Sequence, residues 1–298
     1  MTLLEVVLAL ALMVLLGSFV VGVLRSVLGI WQASERRGRG DLVFLATVEQ
    51  FRRDLGALHT GPRGWLVLDD WRARAAGEEE PEWRLPRLRF LARGENLPLD
   101  DPGGERAVEI AWLLVPEDAA ASRLCRLVRI AQPEGAGASL LERGRLEELL
   151  RQGAGLTVLD GVAWLEFAAE DPAGAAGGEV RALRVEPDRP DDFPRRLSLR
   201  LERVAGRARS HPPRLDGEVS DAAGRLLLRG SAPLAAGDHL LIGREWIEVG
   251  GAFPSFTVRQ RGARGSVAAD HPRGAPVWLP QAWSASWRLP ADGRRLQP

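Results

Sequence analysis

The pattern of apolar and polar positions begins with a long uncharged stretch. Residues 6–24 carry no charged side chain and are almost entirely apolar. Nineteen residues at about 1.5 Å each span roughly 28 Å as a helix, which is close to the hydrocarbon thickness of a bilayer. This stretch therefore predicts a transmembrane helix.

A helical pattern with one apolar face follows this stretch. The apolar residues recur at spacings of four, three, four and three, and they are Phe44, Val48, Phe51, Leu55 and Leu58. Arg52, Arg53 and Asp54 lie beside this face and are expected to form its solvated flank. Gly38 and Gly40 predict a kink or local melting before it. Together the two stretches predict a spine helix over residues 1–58 that packs against the rest of the protein.

The pattern changes to that of β-strands after residue 58. Alternation is strict where Leu197, Leu199 and Leu201 are separated by polar residues, which predicts one buried and one solvated face. One short amphipathic helix is predicted at 140–151, and strands are predicted at 65–68, 87–91, 107–115, 123–130, 158–167, 179–185 and 196–204. A long N-terminal helix packed on an antiparallel β-sheet head, over residues 59–206, predicts an α+β, pilin-like fold.

The C-terminal third has a different composition. Residues 207–224, which include HPPRLDGEVSDAAG, are polar and rich in turn residues, so a linker is expected there. Residues 225–281 predict a small all-β module whose glycines form tight turns. Residues 282–298 predict a possible return strand of the head and a tail. The module is expected to be a passive insertion, with a contact role at the tip of a filament as the alternative.

Composition limits the chemistry that the chain can perform. Lys+Arg and Asp+Glu both number 40, so no nucleic acid or acidic partner is indicated. The one cysteine, Cys125, excludes a disulfide framework and is predicted to be a buried thiol. The four histidines lack catalytic or metal-binding spacing, and His271 is expected to make a local hydrogen bond in a turn. We therefore predict no catalytic residue, no cofactor and no metal site, and the protein is not expected to be an enzyme.

Glu5 lies at the start of the uncharged stretch, and no basic residue precedes it. A cleaved secretory signal fits poorly, because there is no basic n-region, the apolar stretch is too long and no small-residue cleavage site follows. Arg25, Arg36, Arg37 and Arg39 all follow the stretch, so the positive-inside rule would leave the body of the protein in the cytoplasm. A charge at this position therefore needs another explanation.

Met1-Thr2-Leu3-Leu4-Glu5, followed by an uncharged helix, resembles the N-terminus of type IV pilins and type II secretion pseudopilins. In that family a prepilin peptidase removes a short basic leader, the new first residue is N-methylated and the fifth residue is a glutamate. The resemblance implies that Met1 is the methylated residue and that Glu5 forms an assembly salt bridge with a neighbour's N-terminus. The leader is expected to have been removed by processing or to lie upstream of the start used here. With a basic leader, the body would lie outside the cytoplasm.

The order of FLATVEQFRRDL, VEIAWLLV, LCRLVRI, LDGVAWLEF and FPRRLSLRLERV resembles the J-type minor pseudopilin through about residue 205. This resemblance implies a structural subunit at the tip of a type II secretion pseudopilus, anchored once in the bacterial inner membrane with its C-terminal body in the periplasm. The implied partners are other minor and major pseudopilins, the prepilin peptidase/methyltransferase and inner-membrane lipid. Two alternatives stay open: a minor pilin of a type IV pilus or DNA-uptake system, and a membrane-anchored extracytoplasmic binding protein.

Overall fold

The structure is a computed structural model of the chain. It describes residues 42–73, 83–93, 107–117, 124–142, 144–170, 179–187, 189, 192–204, 212–230, 237–252 and 254–289. The chain forms two compact units, Met1–Thr47 and Val48–Pro298. The span predicted at 6–24, the glycine-rich kink and both predicted assembly residues, Met1 and Glu5, lie outside the described residues.

Two helices are present in the described part of the chain. Helix α1 covers residues 42–56, where the apolar spacing predicts a helix. It is followed by Leu58, which forms an isolated bridge with Ala92 and so leads the chain into a β-sheet. Helix α2 is Arg145–Arg151. Neither described helix is both long enough and apolar enough to cross a membrane.

Fifteen strands make up most of the described chain. The first eight are β1 Leu66–Ala73, β2 Trp83–Arg93, β3 Ala107–Pro116, β4 Cys125–Pro133, β5 Leu156–Glu170, β6 Glu179–Val180, β7 Leu183–Val185 and β8 Arg196–Arg203. The others are β9 Arg214–Leu215, β10 Arg225–Arg229, β11 His239–Ile242, β12 Glu245–Ala252, β13 Ser255–Ala263, β14 Val277–Trp278 and β15 Gln281–Arg288. All seven predicted strand regions contain strands, and the predicted strand at 179–185 is divided into β6 and β7.

The strands form two antiparallel sheets. The nine-stranded sheet has the order β15-β8-β5-β4-β3-β2-β1-β7, with β6 paired to β5. The six-stranded sheet has the order β14-β11-β12-β13-β10-β9. The segment predicted as a linker therefore supplies β9 to the second sheet. The last strand, β15, returns to the first sheet and pairs with β8 along its whole length.

The predicted fold class is wrong. The described chain is mostly β, with a curled sheet, and its architecture is not a long helix packed on a pilin-like sheet. The reason is physical: α1 contributes one apolar face to the core, whereas strands from both sheets contribute most of the other buried apolar residues. Periodicity located α1 and the strand regions between residues 65 and 204, but it did not show how little of the core the helix would supply.

The core of the nine-stranded sheet lies beneath the second half of α1. The Phe51 ring contacts Trp112 of β3 at 5.2 Å, Phe167 of β5 at 5.8 Å and Trp287 of β15 at 4.9 Å between centroids. Leu55 of the same helix is also buried. The opposite face of the sheet carries Arg87, Arg89 and Asp69, and it is covered by α2 and the turn that precedes this helix.

Candidate functional site

A buried ion pair fixes α1 to the nine-stranded sheet. The Asp54 carboxylate is fully buried and accepts hydrogen bonds from Arg129 of β4, from Nε at 2.6 Å and from Nη2 at 2.9 Å. It also accepts bonds from Trp112 Nε1 at 2.8 Å and Gln50 Nε2 at 3.0 Å. Two neighbouring strands and the helix therefore meet at one carboxylate. A bidentate charged contact of this kind sets the position of a helix more precisely than apolar packing does.

The expectation that Asp54 belongs to a solvated flank is wrong. Asp54 follows Phe51 by three residues, a spacing that places the two side chains on the same helix face. This spacing could have predicted its burial. Its partner could not have been found in this way, because Arg129 is 75 residues further along the chain.

A second cluster connects the two sheets. Arg264, in the turn after β13, donates to both carboxylate oxygens of Glu202 of β8 at 2.7 and 2.8 Å. Its guanidinium lies 4.9 Å from the Trp164 ring and 4.8 Å from the Trp246 ring. The φ angle of Arg264 is 54°, a left-handed conformation that a residue with a side chain adopts at a cost. The ion pair and the contacts with the two rings hold this turn in place on the nine-stranded sheet.

Replacing Arg264 by methionine is expected to lower the free energy of unfolding by about 2 kcal/mol. The loss is moderate because Arg200 also contacts Glu202, at 3.3 Å, and still partly neutralises it. Urea unfolding monitored by tryptophan fluorescence measures the change. Arg259→Met, which removes an exposed guanidinium from β13, is the matched control. Equal stability of the two variants would contradict this role for Arg264.

Within the six-stranded sheet, Glu245 is the centre of a third buried cluster. Its oxygens accept hydrogen bonds from Arg261 at 2.6 and 2.8 Å, from His271 Nε2 at 2.8 Å, and from the backbone N–H groups of Gly262 and Ala269 at 3.0 and 3.1 Å. Burial opposes ionisation, but these donors outweigh it and lower the pKa of Glu245 to about 2. The cluster holds the loop from β13 to His271 in one conformation.

The prediction that His271 makes a local hydrogen bond in a turn is wrong. The ring is buried and its Nε2 contacts Glu245, which is 26 residues away in sequence. The His271 backbone also pairs with Val219, within the segment predicted as a linker. The histidine therefore helps to hold together separate parts of the six-stranded sheet.

A cavity of about 560 Å³ lies where the two sheets meet. Its walls are mostly apolar, with Leu124 and Val204 on the side of the first sheet and Ile242, Pro276 and Trp278 on the side of the second. Polar groups lie at its margin: Arg203 donates to the Asp160 carbonyl at 2.8 Å, and Glu117 accepts from Gly161 N–H at 2.7 Å. Burial lowers the pKa of Arg203. The size and the apolar lining are typical of a small-ligand pocket.

The predicted packing residues fall in or just after α1. Phe51 and Leu55 are buried in the helix, Leu58 is buried just beyond it and Val48 is half-buried. Phe44 lies in the first compact unit. Cys125 is a buried thiol outside any disulfide, as its position in an alternating strand predicts. Among the described side chains, no group of three or more His, Cys, Asp or Glu residues is placed to hold a metal ion.

Comparison of the chain with models of protein families, with curated proteins and with solved structures finds no match. The three clusters and the cavity must therefore be interpreted from their own chemistry. Arg129, Glu202, Glu245 and Arg264 were not singled out by sequence reasoning, because single charged residues in strands and turns resemble ordinary solvated positions.

Proposed function

We propose that this protein is a structural subunit of the minor pseudopilin type, assembled through its N-terminal segment into a type II secretion pseudopilus, near its tip. The observation that carries the proposal is Glu5 at the start of nineteen uncharged residues. An ionised carboxylate near the bilayer core is costly unless it is paired. A neighbouring subunit's N-terminal amine can neutralise it, and only the correct stagger between subunits brings the two charges together.

The described part of α1 supports this proposal. Leu42, Val43 and Leu45 are exposed by 65%, 42% and 59%, which is unusual for three large apolar residues so close together. Helices of neighbouring subunits would cover them. Further along the same helix, Asp54 is fixed to the sheet through Arg129, so a load on the helix would be transmitted to the head. Because the head is not the α+β arrangement that the resemblance implies, the proposal depends on the N-terminal segment.

In this proposal the chain crosses the bacterial inner membrane once, with its C-terminal body in the periplasm. Its partners are other pseudopilins through spine and head contacts, the prepilin peptidase/methyltransferase and membrane lipid. A minor pilin of a type IV pilus or a DNA-uptake system would use the same N-terminal chemistry. A different second candidate, a membrane-anchored extracytoplasmic binding protein, is favoured by the apolar cavity between the sheets.

Replacing Glu5 by alanine tests the proposal. We expect the amount of this protein in sheared filaments to fall at least about tenfold, because the stagger between subunits loses its charge pair. The total amount in the membrane should be unchanged. Glu218→Ala, which removes an exposed carboxylate from the C-terminal part, is the matched control.

Mass spectrometry of the N-terminal peptide completes this test. An N-methylated Met1 in the parent protein is the expected result. Normal incorporation of the Glu5 variant into filaments, or an unmodified N-terminus, would exclude the assembly proposal and leave the anchored binding protein.

A further inference from the structure

Strand β15 is the last strand on its side of the nine-stranded sheet, as far as the structure describes that sheet. All eight of its residues pair with β8, and the register has no bulge. Among the strands that the structure describes, none pairs with its other side. No described strand therefore uses the alternate N–H and C=O groups on that side. Natural edges are commonly protected by proline, bulges, lysine or short length. In β15 the only charge is Arg288, at its end.

The two faces of β15 differ in character. One face carries Ala282, Ser284 and Ser286, which are exposed and too small to obstruct a neighbouring strand. The other face carries Trp283 and Trp287, which lie opposite Leu201 and Leu197 of β8 and stay half-buried. On this face the Trp287 ring packs on Phe51 of α1, and both indoles are partly exposed.

The sequence of β15 is symmetric about Ala285. Trp283-Ser284-Ala285-Ser286-Trp287 is the same in both directions. If two copies of the strand pair antiparallel about a two-fold axis at Ala285, each Trp283 lies opposite the other copy's Trp287 on the inner face. Each Ser284 then lies opposite a Ser286 on the outer face. Cross-strand aromatic pairs and hydroxyl pairs both stabilise antiparallel sheets.

Only this register places tryptophan opposite tryptophan and, at the same time, serine opposite serine. A shift by one residue would place inner-face residues opposite outer-face residues, and a shift by two would separate the tryptophans. In the symmetric register Arg288 lies opposite Ala282 of the other copy, so the two arginines do not face each other.

We infer that β15 is a contact between two copies of this chain, formed by antiparallel pairing of the two strands about Ala285. The contact goes beyond the proposed assembly function and does not require Glu5.

The double variant Ser284→Lys with Ser286→Lys tests the contact. Both side chains are exposed, so the fold should be retained, but the new charges would face each other across the two-fold axis. Sedimentation equilibrium of the full chain in density-matched detergent, from about 1 to about 100 µM, measures association. We expect the parent to dimerise and the variant's Kd to rise at least about tenfold. Ser220→Lys with Ala222→Lys adds the same charge at exposed positions outside β15 and should leave the Kd unchanged.

A cysteine at the two-fold axis identifies the register. Directly opposed residues have Cα atoms about 4.5–5.5 Å apart, which a disulfide can bridge, so Ala285→Cys should give a covalent dimer under mild oxidation. Ser284→Cys should not, because its equivalent in the other copy lies diagonally, beyond about 7 Å. The parent, whose Cys125 is buried, is the uncross-linked control. A parent that stays monomeric, a lysine variant that dimerises as the parent does, or equal cross-linking at positions 284 and 285 would each overturn the inference.

Discussion

Replacing Asp54 by alanine is expected to lower the free energy of unfolding by about 3–5 kcal/mol. The carboxylate is fully buried, and its removal leaves the guanidinium of Arg129, which is 9% exposed, without a counter-charge. The indole N–H of Trp112 also loses its acceptor. Chemical denaturation of the full chain, followed by circular dichroism, measures this change.

Two variants separate the buried ion pair from a general effect on the helix. Glu49→Ala removes an exposed carboxylate from α1 that pairs with Arg52 and Arg53, and it should change stability little. The double variant Asp54→Ala with Arg129→Met should lose less free energy of unfolding than the two single variants lose in total. The reason is that Arg129→Met removes the charge that Asp54→Ala leaves unpaired. Additive costs would contradict the ion-pair explanation.

The second large effect is expected at Glu245. Glu245→Gln keeps the shape of the side chain, but it directs an amide toward groups that are all donors: Arg261, His271 and two backbone N–H groups. We expect the free energy of unfolding near pH 7 to fall by about 3 kcal/mol. Glu218→Gln, at an exposed position in the same part of the chain, should be close to neutral and serves as the control.

The pH dependence gives Glu245 a second, independent test. Its pKa is about 2 in the folded protein, below the ordinary value of 4.5, so folding favours the ionised form. The stability that it contributes is therefore fully present above about pH 4.5 and is lost as the pH falls toward about 2. The difference in stability between the parent and Glu245→Gln should shrink over this interval. A difference that stays constant with pH would show that the charge of Glu245 is not its source.

The elements were more predictable than their arrangement. The alternation in residues 196–204 predicted β8 almost to the residue, and the apolar spacing from Phe44 to Leu55 predicted the α1 helix. Both patterns are local and require no knowledge of a partner. The α+β class failed because it assigned the helix a dominant share of the core. The share of the core that a helix contributes depends on how many strands meet beneath it. Periodicity within one segment contains no information about that number.

The candidate sites were less predictable for a related reason. Asp54 could have been assigned to a buried helix face from its spacing to Phe51, but Glu202 and Glu245 resemble solvated charges in their own segments. Arg264 pairs with Glu202 across 62 residues. A buried charge is tolerated only where a partner reaches it, and that partner is chosen by the fold.

The sequence by itself determined the local features of this protein. They are the uncharged N-terminal stretch with its single glutamate, the strand regions, the apolar helix face, the buried thiol of Cys125 and the symmetric strand sequence around Ala285. Only the tertiary structure decided which strands are neighbours, that β15 has a described strand on one side only, and which carboxylates lie inside. These features arise from contacts between distant segments, where burial raises the cost of every unpaired charge and so selects the arrangement in which each charge has a partner.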